Sequence, residues 1–172
     1  MSNTITHLAV AKEILKKCPA LVKNEMAFYL GCIAPDTVTG KEGATRDDKK
    51  RVHLRENIPD AKWLEPEYMS LFMERVSLFV KEHIANEADS NKKDFNIGYL
   101  VHLLTDRCNH ETIRQKLLAK AGERGIVSSD REFYNMCVND LEALDEYLLE
   151  SRPELGKLFS DLLSDKTEYC LE

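Results

Sequence analysis

Residues 96–113, NIGYLVHLLTDRCNHETI, predict the helix around which the remaining chain packs. Residues 97–104 are apolar on nearly every side apart from His102, which is typical of a helix that is buried on most faces. His102, Asp106 and His110 follow one another at intervals of four residues, so a helix places them on one stripe. Because a buried carboxylate is costly unless it is paired, hydrogen-bonded or coordinated, we expect other polar groups to meet Asp106.

Gly98 lies on the same face of this helix, one turn before His102. A glycine has no side chain, so it leaves room for a neighbouring backbone or side chain. We therefore expect close packing against the buried helix at this position.

The remaining chain predicts further helices and no sheet. Helical patterns are found at residues 4–17, 22–33, 67–87, 131–150 and 154–164. We therefore expect an all-α fold, a single-domain helical bundle over residues 1–172 with a buried central helix.

The second of these helices is expected to end in the segment GCIAPD, residues 31–36. Pro35 fixes its own φ and biases Ala34 away from the helical region, which predicts that Asp36 lies on a defined bend. The polar segment at residues 37–50, TVTGKEGATRDDKK, predicts a loop, and His53 follows it in a short helix or turn.

Composition excludes several classes of protein. The net charge of −6 argues against an extended nucleic-acid-binding face, although it leaves room for a small phosphate-bearing substrate. No apolar run reaches the roughly 18 residues of a transmembrane segment, and the first residues do not resemble a secretory signal. The cysteines are odd in number and form no CxxC pair, which favours reduced thiols and a cytoplasmic location.

Six polar residues are candidates for one buried site. They are His7, Asp36, His53, His102, Asp106 and His110. Imidazoles and carboxylates are the ligands that zinc and similar divalent ions prefer, and pairs of such ions hydrolyse phosphate esters. For His102 and Asp106 alone, the alternative is a hydrogen-bonded core pair without a metal.

Four segments in order resemble a known family. They are THLAVAKEIL at residues 6–15, FYLGCIAPD at 28–36, VHL at 52–54 and GYLVHLLTDRCNHETI at 98–113. Together they resemble the zinc-dependent phospholipase C superfamily, which includes fungal single-strand-specific nucleases, and in particular its bacterial phospholipase C-like branch. Motifs in this order favour metal ligation over a metal-free core pair.

The resemblance implies a ligand set for two ions. Asp36, His53, His102 and Asp106 would hold the first ion. Asp106 would bridge to the second ion, which His7 and the N-terminal amine would complete, with Ser2 supplying that amine once Met1 is removed.

A third ion would need His110 together with a later HxxxE or HxxxD pair. No histidine follows His110, so the pair is missing, and Cys137 with Asp140 is the remaining alternative. We therefore expect one or two ions, of zinc or alternatively of manganese or iron.

The function implied by the resemblance is metal-dependent phosphoester hydrolysis of the phospholipase C type on a small phosphoester or phospholipid head group. A zinc-bound hydroxide would attack phosphorus, with Asp36 and Asp106 as catalytic residues that orient it or bridge the ions. The alternatives are a nucleotidase or nuclease on the same site, or a non-catalytic helical protein with a structural or decayed metal site.

A run of basic residues surrounds His53, and Trp63 lies a short way beyond it. The run consists of Lys49, Lys50, Arg51 and Arg55. Such a run is typical of a solvated loop, and phosphate contact is the alternative. Trp63 is interpreted as a core residue.

Overall fold

A computed structural model describes residues 3–164, with the side chain of Thr39 excepted. Its α-helices are α1 (Thr4–Lys17), α2 (Glu25–Thr37), α3 (Arg46–Val52), α4 (Pro66–Val80), α5 (Ser90–Asn109), α6 (Gln115–Gly122), α7 (Arg131–Ser151) and α8 (Pro153–Ser164). Short 3₁₀ turns occupy Val38–Gly40 and Asp60–Lys62, and π-helical turns occupy Lys81–Ala85 and His110–Arg114. No strand occurs in the described range, which confirms the all-α prediction.

Side-chain caps fix where several of these helices begin. The Asn24 side chain accepts a hydrogen bond from a backbone N–H in the first turn of α2, and Asp89 does the same for two N–H groups of α5. Thr45 and Asp48 form a reciprocal capping box at the start of α3. Each cap satisfies backbone donors that a helix leaves without an internal partner.

The central helix α5 contributes to two apolar clusters. Ile97 and Val101 pack against a cluster formed largely by α1, α2 and α8. Phe95, Tyr99 and Leu103 belong to a second cluster, which α4 and the segment before it complete. Apolar neighbours on several sides explain the nearly continuous hydrophobic sequence of this helix.

The closest packing in the fold is between α2 and α5 at two glycines. A Cβ atom on Gly98 would lie 2.0 Å from the Phe28 carbonyl oxygen, and one on Gly31 would lie 1.9 Å from the Phe95 carbonyl oxygen. Neither position therefore accepts any side chain without moving a helix backbone. This contact confirms the close packing that Gly98 predicted.

Several predicted boundaries were wrong. Helix α2 continues through Pro35 to Thr37, so Asp36 lies in the last turn of a helix and not on a bend. Pro35 is buried, and tertiary packing of α2 overrides the local preference of the X–Pro pair. The polar segment expected as a loop contains the start of α3, which its capping box stabilises.

Helix α1 obtains its N-terminal cap from a distant helix. Asn3 makes no side-chain cap. Instead, the Asp145 carboxylate on α7 accepts hydrogen bonds from the backbone N–H groups of Ile5 and Thr6, at 3.2 and 3.0 Å, and from the Thr6 hydroxyl at 2.7 Å. A carboxylate at this position also complements the positive end of the helix dipole. The contact fixes α1 immediately before His7.

Within residues 3–164, every helix is too short or too polar to cross a bilayer.

We predict that Gly98→Ala destabilises the protein by about 3 kcal/mol or more, because the new methyl group meets a backbone carbonyl that cannot move alone. Gly122→Ala is the control, since a Cβ there meets no atom within 4 Å. Urea unfolding followed by circular dichroism measures both. Equal unfolding free energies for the two variants would contradict the account of the α2–α5 contact.

We predict that Asp145→Ala lowers the unfolding free energy by about 1–2 kcal/mol, the usual cost of losing a helix cap. Glu142→Ala, an exposed position on the same helix, controls for general effects on α7. The same urea titrations compare the two, and an Asp145→Ala protein as stable as Glu142→Ala would show that the cap contributes nothing.

Candidate metal centre

Four helices bring most of the predicted site residues together. His7 comes from α1, Asp36 from α2, His53 from the C-terminus of α3, and His102 and Asp106 from α5. The three histidines and Asp106 are buried, whereas Asp36 is partly exposed. Two overlapping groups result, each with potential ligand atoms within 4.8 Å of one another.

The first group consists of Asp36, His53 and His102. The His53 Nε2 atom lies 3.4 Å from an Asp36 carboxylate oxygen and 3.2 Å from the His102 Nε2 atom. Asp106 also faces this group, because its Oδ2 atom lies 3.7 Å from His53 Nε2 and 4.0 Å from His102 Nε2. The four side chains predicted for a first ion therefore converge.

The second group consists of His7, His102 and Asp106. The rings of His7 and His102 stack with their centroids 3.8 Å apart and their planes 12° from parallel. His7 Nε2 lies 3.6 Å from the Oδ1 atom of Asp106. Asp106 thus presents one carboxylate oxygen to each group.

Two backbone carbonyls determine which nitrogen of each ring carries the proton. The Cys32 carbonyl oxygen lies 2.8 Å from His102 Nδ1, and the Lys49 carbonyl oxygen lies 2.8 Å from His53 Nδ1. A carbonyl oxygen only accepts, so both Nδ1 atoms donate. In the neutral rings, both Nε2 atoms then carry lone pairs that face each other at 3.2 Å.

Facing lone pairs require a positive charge between them or a proton on one ring. Burial, followed by the nearby charge of His7, lowers the pKa of His102 to about 3, so a protonated ring is unfavourable there. A bound metal ion would resolve the conflict, and a carbonyl bonded to the second ring nitrogen is the usual support of a metal-binding histidine.

His7 gives a second indication that the site fits a metal. Its side chain is 1% exposed, and neither ring nitrogen has a hydrogen-bond partner among residues 3–164. A buried polar atom without a partner costs about 1–3 kcal/mol. Coordination of an ion through one nitrogen would recover part of that cost.

The two carboxylates are held in their ionised form. Burial raises the pKa of Asp36, but the contact with the His53 ring and the nearby Lys49 ammonium outweigh it and lower the pKa overall. The pKa of Asp106 is likewise lowered despite its burial, with His7 and His102 among the causes. Neutral imidazoles and ionised carboxylates are the protonation states that bind divalent metals.

Two residues of the basic run make specific contacts with other side chains, which corrects the interpretation of that run as a solvated loop. The Lys49 ammonium lies 2.9 Å from an Asp36 carboxylate oxygen, where α3 holds it at the edge of the first group. Arg55 is only 8% exposed, and its guanidinium lies 3.8 Å above the ring of Trp63. Trp63 is itself buried, as predicted.

The structure does not include His110 in either group, although it is buried. Each four-residue step on a helix rotates a side chain by about 40°, so His110 points about 80° away from His102. It lines a separate cavity with Cys137 and Asp140, the residues considered for a third ion. These three do not form a compact ligand group in the described part of the chain. Ser2 lies outside the described residues.

No sequence pattern predicts the two carbonyl contacts or the Lys49 ion pair. Backbone carbonyls occur at every residue, so Cys32 and Lys49 carry no pattern that marks them as supports. The capping box of α3 is the one local signal that could have replaced the predicted loop by a helix and so placed Lys49 correctly.

Comparison with known proteins gives one match. The sequence profile of the family described as zinc dependent phospholipase C matches residues 6–166. No curated protein and no solved structure matches the chain.

We predict that the metal-free protein loses stability as the pH falls from about 6.5 towards 3. Burial lowers the pKa of both His102 and His110 from 6.5 to about 3, so in this range the unfolded chain binds protons that the folded chain does not. Each group then contributes up to about 1.4 kcal/mol per pH unit. Urea titrations between pH 7 and about 5.5 measure this slope, above most of the range in which unfolded carboxylates titrate.

In the same titrations, His110→Gln should reduce the slope by the share of one proton, up to about 1.4 kcal/mol per pH unit. An unchanged slope in His110→Gln would mean that His110 is not held neutral in the fold.

Proposed function

Because the chain belongs to the zinc-dependent phospholipase C family, we propose that it is a metal-dependent hydrolase that cleaves a phosphodiester at the site formed by α1, α2, α3 and α5. The substrate class we propose is a small phosphoester or phospholipid head group. The observation that carries the proposal is the convergence of two imidazole Nε2 lone pairs, 3.2 Å apart, next to ionised carboxylates.

Asp36, His53, His102 and Asp106 would hold one zinc ion, and His7 with Asp106 would hold a second. The support for a bridging role of Asp106 is that its two oxygens face different groups, Oδ1 towards His7 and Oδ2 towards His53. Oxygen and imidazole ligands without sulfur suit zinc, as they do manganese and iron.

When bound, the ions would supply Lewis acidity that polarises the phosphoryl group and lowers the pKa of a water molecule. Asp36, which is partly exposed, would orient that water. In the reaction a P–O bond forms from water, the P–O bond to the leaving alcohol breaks, and the proton of water ends on that alcohol. The Lys49 ammonium would offset negative charge on the phosphoryl oxygens.

Access to the site favours catalysis over a closed structural metal. Asp36 and Lys49 line an open cavity of about 570 Å³ between the start of α1 and the end of α2. Catalytic metal sites keep a position for water or substrate, whereas structural sites are closed. A phosphodiester could reach the exposed side of Asp36 from this cavity.

The test is chelator-sensitive hydrolysis of bis(p-nitrophenyl) phosphate by the zinc-loaded protein. Asp106→Ala should lower kcat/KM by at least about 100-fold, because it removes a carboxylate of the second group whose other oxygen faces the first group. His83→Ala, which changes a histidine outside both groups, should keep the activity of the unaltered chain.

Two results would contradict the proposal. Turnover in Asp106→Ala equal to that of the unaltered chain would exclude Asp106 from the mechanism. Zinc that raises the melting temperature without any turnover would instead assign a structural metal site.

A further inference from the structure

Two further cavities lie one helical turn beyond the metal centre. His110 and Arg114, in the π-helical turn that follows α5, line two adjoining cavities of about 140 and 620 Å³, which also share Arg46 and Asp60. His110 is four residues after Asp106, so the cavities begin about 6 Å along the helix axis from the shared carboxylate. Two phosphate groups of one substrate could span this distance.

The walls of these cavities carry more positively than negatively charged side chains. Arg46 and Arg55 both form ion pairs with the single carboxylate of Asp60. Arg114 has no carboxylate partner in the described residues, and its contacts are with the Cys137 sulfur at 3.3 Å and the face of the Phe133 ring. Within the described range, Arg114 thus forms no direct ion pair at the wall of the smaller cavity, where Asp60 and Asp140 are the two carboxylates beside three arginines.

Arg55 contributes a hydrogen-bond donor that has no partner in the described residues. Its guanidinium is fixed between Asp60 and the ring of Trp63, and its Nε atom is buried without a hydrogen-bond partner within residues 3–164. Guanidinium groups bind phosphate oxygens through paired N–H donors, which makes them suited to anion recognition in a partly buried site.

The same cavity is unsuited to a third cation. His110, Cys137 and Asp140 line it, but they do not form a compact ligand group in the described part of the chain. Arg55 and Arg114 line it too, and their charges would repel a divalent ion. The charges at this position favour an anion.

We propose that this cavity binds a second phosphate group of the substrate, with Arg114 and Arg55 as its ligands. The inference rests on the proposed function, since it concerns the substrate that the metal centre would cleave. It specifies a phosphodiester whose alcohol or head group carries an additional phosphate, in preference to one with a neutral or cationic head group.

The test compares two p-nitrophenyl phosphodiesters on the zinc-loaded full chain, one with a methyl group and one with a 2-phosphoethyl group as the second ester. We expect the phosphate-bearing ester to have the higher kcat/KM. Arg114→Gln should lower its kcat/KM by about 10- to 100-fold, the usual effect of losing a charge-assisted hydrogen bond, and should leave the methyl ester within about twofold. Arg124→Gln, an exposed arginine paired with Glu132, is the matched control.

A binding measurement separates failure of this inference from failure of the proposed function. Calorimetric titration of inorganic phosphate into the same proteins should show binding that Arg114→Gln weakens about tenfold and Arg124→Gln leaves unchanged, even if no ester is hydrolysed. Phosphate binding that does not depend on Arg114 would overturn the inference. Arg114-dependent binding of free phosphate, with equal turnover of the two esters, would also overturn it, because the site would then hold free phosphate and not a substrate group.

Discussion

The close contact between α2 and α5 is the constraint on which the candidate site depends. Gly31 and Gly98 bring the two helix backbones together until no side chain fits between them. This contact places the Cys32 carbonyl 2.8 Å from His102 Nδ1, so that Nε2 faces the other ligands. A larger distance between α2 and α5 would move the Cys32 carbonyl away from the His102 ring. The fold would then no longer determine which nitrogen of His102 carries the proton.

The other predicted ligands are held by contacts from their own helix or from another one. The Lys49 carbonyl orients His53 from within α3, and the Asp145 carboxylate on α7 fixes the start of α1 just before His7. Asp106 lies on α5 and faces ligands from α1 and α3. The free energy of folding therefore has to offset the burial of several polar groups, and a metal ion would recover part of that cost.

The helical periodicity of the sequence predicted part of this arrangement. The buried helix, its polar stripe and the close contact at Gly98 follow from helical spacing, and the order of short motifs indicated which distant residues would join His102. The sequence patterns did not predict the features that depend on tertiary packing. Pro35 stays inside α2 because packing outweighs a local preference, and Arg55 is buried because Trp63 and Asp60 cover it. His110 shares the stripe, yet helical rotation directs it to another cavity.

The central claim is that the converging imidazoles form a metal site, and metal content per chain tests it most directly. Elemental analysis of tag-free protein purified without chelator should give one or two equivalents of zinc, manganese or iron for the unaltered chain. His102→Ala, which removes a residue shared by both ligand groups, should lose them. No stoichiometric metal in the unaltered chain, even after zinc is added back, would mean that His7, His53 and His102 are core residues and would contradict the account.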